Sequence, residues 1–391
     1  MNLIQRVVDR VRGRNQPSML IGQPEALPKL RCGIIGLGAM GKKHADVLRT
    51  HPYFTLAGLT NATPRKDGAD DYGCRWFDSA GQMIASGEVD VMIIATPHWQ
   101  HAALAVDALR AGAHVVCEKP LTVTVAQADE VIGAAGESSG LITSVFQTRF
   151  EPVFQRVKSL LSSGELGPIV RCEMEESFWR TDAYYRSDAW RGTWKGEGGG
   201  VLINQGPHIL DRYAWLCGMP ESVTGFCDTA LHRIEVEDSA SAVLRHAGGW
   251  HGHVHINTNE CPQTSRLMIS CDRGRITVEN GRLRIDRLAD SVRSRTAACL
   301  ESFAQIDCTS TDEDGALIES PHVLLSRFYE NFALAIAGKQ PLAITTAEAT
   351  QSVELANAIQ LSSATNAAVS IPIERAAYGR FLDSRLNLPT S

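Results

Sequence analysis

No two of the ten cysteines form a C-x-x-C pair, which excludes the common zinc-ribbon and thioredoxin-type frameworks. Scattered thiols of this kind read as reduced and buried in a cytosolic protein. No apolar run approaches the ~20 residues that a membrane span requires. Positive charge is also not in excess: 38 Lys and Arg stand against 44 Asp and Glu, a net charge of −6. That balance argues against a nucleic-acid backbone as the main partner. Internal repeats and low-complexity tracts are missing too. The opening stretch, MNLIQRVVDRVRGRNQPSML, is basic and weakly amphipathic, but arginines interrupt its apolar residues, so it lacks the h-region of a signal peptide. Residues 1–29 read as an arm ahead of the first domain, either a short helix packing on a partner subunit or a free tail.

What is present is a chain of 391 residues, 44% of them hydrophobic, enough to fill two cores. Residues 31–35 (RCGII) form a short apolar run, followed by GLGAMG and a helical pattern to about residue 50. Strand, glycine loop and helix in that order give G-x-G-x-x-G its physical meaning. Gly36 allows the tight turn, Gly38 lets the backbone approach a pyrophosphate, and Gly41 allows helix and strand to pack closely. Leu37, Ala39 and Met40 complete the loop, whose helix-start amides face the phosphates.

The alternation continues with strands expected at 54–60, 74–77, 89–96, 114–119 and 141–149, and a helix over 99–112. This pattern predicts a doubly wound parallel sheet, with ligands at the carboxyl ends of its strands. Four tips therefore matter: Gly36–Gly41, Asn61, Thr96–Pro97–His98 and Glu118–Lys119–Pro120. Asn61 stands twenty residues after Gly41, where an aspartate would accept from both ribose hydroxyls and select NAD. Asparagine is neutral, and Arg65 and Lys66 follow it, so NAD and NADP both remain open.

GLGAMGKKHADVL, then ATPHWQHAALAVDALRAGAHVVCEKPL, then GEGGGVLINQGPHILD occur in this order. Together they resemble the glucose–fructose oxidoreductase/inositol dehydrogenase (Gfo/Idh/MocA) family, from about residue 30 to about residue 373. The resemblance implies a Rossmann domain (30–149), then an α+β domain (150–391) built on a large, open, mostly antiparallel sheet. It also implies oxidation or reduction of a sugar or cyclitol carbinol carbon by a nicotinamide cofactor, NAD or NADP. Homodimers or homotetramers pairing through the open sheet are part of the same expectation. The second half supports this on its own: short apolar strands between 239 and 287 are spaced as an antiparallel meander. Helices are expected over about 151–163, 322–338 and 345–365, the last opened by threonines as N-cap candidates.

In GEGGGVLINQGPHILD the glycines do not follow a strand of a βαβ unit, so a second dinucleotide loop is not expected. The run after them reads as one helix, on which Asn204, His208 and Asp211 fall at i, i+4 and i+7 on one stripe. Leu202, Ile209, Tyr213 and Leu216 lie on the core side. The family pattern places its catalytic histidine at His208, and a histidine suits removal of a hydroxyl proton while hydride leaves the same carbon. Lys119, in CEKP, matches the family's lysine at substrate and cofactor, where a fixed cation stabilises a developing alkoxide. Asn204 stands where the family often has aspartate; it can orient a hydroxyl but cannot take a proton. His101 matches a family histidine near the cofactor.

On the substrate side, Arg149 in the QTRFEP segment is expected to reach the cleft. Trp190, Arg191 and Trp194 offer aromatic faces and guanidinium forks suited to a sugar ring. His251, His253 and His255 alternate along one strand, spread over about 13 Å, which suits a polar sheet surface rather than a metal site. The function expected is a cytoplasmic NAD(P)-dependent dehydrogenase of a sugar, glycoside or cyclitol, with the pyranoside 3-hydroxyl as one target. The alternatives are a redox-neutral lyase or glycosidase that retains its cofactor, and a non-catalytic dinucleotide-binding sensor.

Overall fold

The computed structural model describes residues 27–62, 72–313 and 319–387; Arg65 and most of the N-terminal arm lie outside them. Six strands, β1 (Leu30–Ile35), β2 (Phe54–Thr60), β3 (Arg75–Trp76), β4 (Val91–Ile94), β5 (His114–Cys117) and β6 (Ile142–Ser144), form the first sheet. They run in the order β3-β2-β1-β4-β5-β6, and every pairing is parallel. Burial on both faces explains the uninterrupted apolar runs: all four residues of β4 are buried. The strand order reverses between β1 and β4, which opens the crevice where such sheets bind ligands.

The run at 141–149 yields a shorter strand than expected. β6 ends at Ser144, and Gln147–Phe150 forms a single tight turn before Pro152 opens the Pro152–Ser163 helix. β6 pairs with only three residues of β5, so the chain leaves the sheet there and crosses to the second domain.

The second sheet has nine strands: β7 (Ile169–Ser177), β8 (Ser222–Asp228), β9 (Ser239–Arg245), β10 (His251–Asn257), β11 (Ser265–Cys271), β12 (Gly274–Glu279), β13 (Arg282–Leu288), β14 (Cys308–Glu313) and β15 (Val369–Ser370). Their order is β14-β13-β12-β11-β7-β10-β9-β8-β15. The expected meander is interrupted: β10 and β11 are not neighbours, because β7 lies between them, parallel to β10 and antiparallel to β11. One face of this sheet, with Cys172, Met174, Leu244, Val254, Ile256, Ile269 and Ile276, joins a core with the Pro207–Cys217 and Thr346–Thr365 helices. The other face carries exposed His251 and His253 on β10 and the exposed apolar side chains Val170, Phe226 and Val243.

The two sheets are stitched together by later chain. The Pro321–Ile336 helix returns to the first core through Leu324, Leu325, Phe328, Tyr329 and Phe332. Thr345 caps the Thr346–Thr365 helix in a reciprocal box with Glu348. From that helix, Asn357 accepts from Val125 N and donates to Val123 O, 3.1 Å each, fastening the first domain's Val125–Glu137 helix to the second core. Among the described residues, no helix is long and apolar enough to cross a membrane.

Candidate active site

The glycine loop has the shape its sequence foretells. Gly36 adopts φ +100°, and a Cβ there would lie 2.6 Å from the Ala95 carbonyl oxygen. A Cβ on Gly41 would collide with the Gly36 carbonyl, whereas one on Gly38 would meet nothing within 4 Å. Open space therefore lies over Gly38, the N-cap of the Ala39–Thr50 helix, whose first turn no side chain caps. That is a cradle for an anion. Asn61, at the end of β2, accepts from Leu37 N at 3.4 Å, which brings the ribose-side tip to the loop.

Beyond β5, Glu118 and Lys119 are turned in different directions. Glu118 Oε1 lies 2.9 Å from His44 Nε2, and the Tyr329 hydroxyl lies 2.7 Å from His44 Nδ1. Burial alone would raise the Glu118 carboxyl; the His44 hydrogen bond and charge, and then the Lys119 charge, outweigh it and hold it at about 2. His44 and Tyr329 were not singled out from sequence, because the Tyr329 partner comes from a helix 285 positions later. His101 bridges two of the tips, with Nδ1 2.8 Å from Pro120 O and Nε2 2.9 Å from Thr96 O. His98, fully inside, has Nδ1 3.4 Å from Glu197 O and an edge contact with Trp190 at 5.4 Å.

Lys119 Nζ donates to the Asn204 carbonyl oxygen at 2.6 Å. Burial lowers the Lys119 ammonium and Glu118 and Glu197 oppose that, while Arg191 and Arg180 add to the lowering. The expected single helix from 201 is two: Val201–Asn204 and Pro207–Cys217. Proline lacks the N–H that would continue the first turn and suits the first position of the next helix. His208 follows at once, its ring edge-on to Phe146 at 5.8 Å. Burial, and then the Lys119 charge, push His208 down to about 3, so the resting imidazole is neutral and able to accept a proton.

Several buried polar atoms around these tips have no partner among the described residues: Thr96 Oγ1 after β4, Ser144 Oγ at the end of β6, Gln147 Oε1 and Thr148 Oγ1 just beyond, and His208 Nδ1. Buried polar groups are normally satisfied. Orphans gathered at the carboxyl ends of parallel strands and on His208 fit a polar ligand such as a nicotinamide and its substrate.

The wall opposite is built from the segment before the glycines. Asn204 Nδ2 donates to Tyr184 Oη at 3.1 Å and to Glu197 Oε1 in a short contact. Arg191 donates to Tyr184 Oη at 2.7 Å, and its guanidinium lies over both Tyr184 and Trp190. Arg191 thus shares the Tyr184 hydroxyl with Asn204, and Trp190 lies under the Arg191 guanidinium. Tyr184 lies in the aromatic- and arginine-rich stretch before the glycines, but the sequence does not mark Glu197. The glutamate lies inside the GEGGG run, yet nothing local in that run says that a carboxyl there is buried.

Two expected substrate contacts are placed elsewhere. Arg149 does not reach the cleft: its Nη2 and Nε donate to Asp211 at 2.7 and 2.9 Å, and its Nη1 to Ala343 O at 3.3 Å. Both side chains are almost fully buried, and a buried carboxylate requires such a partner. Asp211 is accordingly removed from the stripe it was expected to share with Asn204 and His208. Trp194 donates Nε1 to Glu235 O at 3.0 Å and packs edge-on to Phe381 at 5.6 Å, lining a separate cavity of about 470 Å³ with Phe226 and Arg385.

The chain matches models of a known oxidoreductase family in both of its sheets. The model of the oxidoreductase family, NAD-binding Rossmann fold, matches residues 30–146, and that of the GFO/IDH/MocA C-terminal domain matches residues 154–277. The uncharacterized oxidoreductase YdgJ of Escherichia coli is 34% identical over 197 residues, 50% of this chain and 56% of that one. IolW of Bacillus subtilis, an NADP(+) scyllo-inositol 2-dehydrogenase, is 27% identical over 197 residues, 50% of this chain and 54% of its own. The matched region thus spans little more than half of these curated relatives. The WlbA dehydrogenase of Bordetella pertussis, solved with NADH and UDP-GlcNAcA, is 26% identical, with a TM-score of 0.74 over 88% of this chain and 100% of that one. Levoglucosan dehydrogenase, solved with NADH and levoglucosan, shares the fold at 21% identity, with a TM-score of 0.77 over 88% of this chain and 100% of its own.

Proposed function

Because the chain belongs to the Gfo/Idh/MocA family of oxidoreductases, we propose that it is a nicotinamide-dependent dehydrogenase acting on a secondary hydroxyl of a sugar, glycoside or cyclitol. The observation that carries this reading is the joining of Lys119 to the segment that holds His208, beside a glycine cradle open above Gly38. A bound nicotinamide supplies the hydride acceptor. Gly36 to Gly41 and Asn61 hold the dinucleotide, with Thr96, Pro97, His98, His101 and Glu118 around its inner end.

The chain's own residues divide the rest. Lys119 places positive charge where an alkoxide develops and lowers the hydroxyl's resistance to losing its proton. His208, neutral at rest, takes that proton, and in the reverse direction returns it. Asn204 orients the hydroxyl. Arg191, bonded to Tyr184 and lying over Trp190, offers a fork to the sugar, and Trp190 offers a ring face. Asn61 leaves the adenosine ribose without an acidic partner at that position, so NADP is accepted as well as NAD. Support for a sugar-like substrate comes from the inositol and levoglucosan dehydrogenases to which the chain is similar. The exposed face of the second sheet, with Val170, Phe226 and Val243, is the surface on which we place a homodimer or homotetramer contact.

A panel of pyranoses, aryl glycosides, nucleotide-linked sugars and inositols, offered with NAD and NADP separately, tests this reading by nicotinamide absorbance. Net reduction with at least one member supports it. Cofactor retained through purification with products formed but no net reduction would replace it with the redox-neutral chemistry.

A further inference from the structure

Asn204 carries a neutral amide at the centre of the site, and an amide presents either an acceptor or a donor depending on which way it is turned. In this structure both protons of its NH₂ are used: one faces Glu197 Oε1, the other Tyr184 Oη. Its Oδ1 accepts from no described residue, and the side chain is part-exposed. The amide therefore offers the cleft an acceptor, which a substrate hydroxyl needs if its own proton is to be held in place.

The partner that fixes this direction is Glu197, 1% exposed. Its Oε2 accepts from Gly192 N at 2.8 Å, and its Oε1 accepts from Asn204. A carboxylate can only accept, so it selects the NH₂ end of the amide. A protonated carboxyl carries an O–H donor, which pairs with Oδ1 instead and turns the NH₂ toward the cleft. Resting on the dehydrogenase reading above, we propose that Glu197 is a positioning residue whose ionisation decides which end of the Asn204 amide faces the substrate.

Every neighbouring element bears on that ionisation. Arg191, in the same loop, favours the anion, while Glu237, from the segment before β9, opposes it. Lys119 after β5 faces the carboxylate, as do Tyr184 and Tyr185 of the Asp182–Tyr185 helix. His98 reaches only its backbone carbonyl. Burial is the largest influence and raises Glu197 to about 7, whereas His208 titrates near 3. A loss of activity just below neutrality would accordingly belong to Glu197 and not to the base.

The test follows the Asn204 side-chain amide by NMR in protein labelled on asparagine nitrogen, assigned with Asn204→Ala, from about pH 8 to about pH 5.5. In the wild type the resonance should titrate with a midpoint near 7, and in Glu197→Gln it should be flat. In parallel, kcat/KM of the wild type should fall about tenfold per pH unit below that midpoint. The limb should vanish in Glu197→Gln and persist, displaced, in Glu197→Asp, with NADH affinity retained in both. A flat wild-type resonance, or an acid limb that survives in Glu197→Gln, overturns the proposal. The amide titration needs no substrate, so a protein that turns over nothing would defeat the dehydrogenase reading while the titration still decides the role of Glu197.

Discussion

Lys119 Nζ lies 2.6 Å from the main-chain oxygen of Asn204, so a cation at the end of a parallel strand is bonded to the helical segment that delivers His208. The acceptor is the last carbonyl of a one-turn helix, one of the backbone groups a helix leaves unpaired. That single bond spans 85 positions of sequence and joins the two domains at the site. It also means that the charge meant for the substrate already acts on the base.

Replacing Lys119 by methionine should therefore do two things. Loss of the charge aimed at the alkoxide should lower kcat/KM by about 10²–10³. It should also raise the His208 pKa above about 3, since the Lys119 charge is, after burial, the next influence holding it down. Histidine Cε1–H titration by NMR in the wild type and Lys119→Met measures the second effect directly. An unmoved His208 would show that burial alone depresses it.

Gly38→Ala separates binding from folding. A Cβ at that position meets no atom of the described residues within 4 Å, so the melting temperature should stay close to that of the wild type. The methyl group would stand where the pyrophosphate approaches, and cofactor affinity should fall at least about tenfold, a loss of about 1.4 kcal/mol. Fluorescence titration with NADH measures it, and unchanged affinity would place the dinucleotide elsewhere.

Arg149 and Asp211 give a contrasting prediction. Arg149→Ala strands the buried Asp211 carboxylate and should cost about 3–5 kcal/mol of stability, seen in urea denaturation. In the fraction that remains folded, KM for the substrate should hold. A stable Arg149→Ala with raised KM would restore the cleft role that the sequence had implied.

How the sequence misled at Arg149 shows where its information ends. Local patterns were readable: the glycine spacing and apolar run at 31–41, the strand at 54–60 and the Thr345 cap are set by neighbouring residues. So was the nearness of Lys119 to His208, because the motifs carrying them are short and distinctive. Arg149 and Asp211 find one another across 62 positions, and β7 takes a central place that no local periodicity marks. Glu197 accepts from Gly192 N in the turn just before it, and the burial of its carboxyl leaves no trace in the run GEGGG.

The Glu118 carboxyl links the site to acid stability. Its folded pKa, about 2, is below the ordinary 4.5. The stabilisation it gives is therefore complete above about 4.5 and is lost as pH falls toward about 2. The difference amounts to about 3 kcal/mol. Urea denaturation of wild type and Glu118→Gln between neutral and acid pH should show the wild type losing that much more; parallel losses would contradict it.

The most direct measurement is kcat/KM of His208→Ala beside the wild type, on the best substrate from the panel, with NADH affinity measured on the same samples. We predict a fall of about 10²–10⁴ with cofactor affinity unchanged, because His208 handles the substrate proton and does not build the dinucleotide cradle. Turnover within a few-fold of wild type would contradict the assignment of His208 as the base.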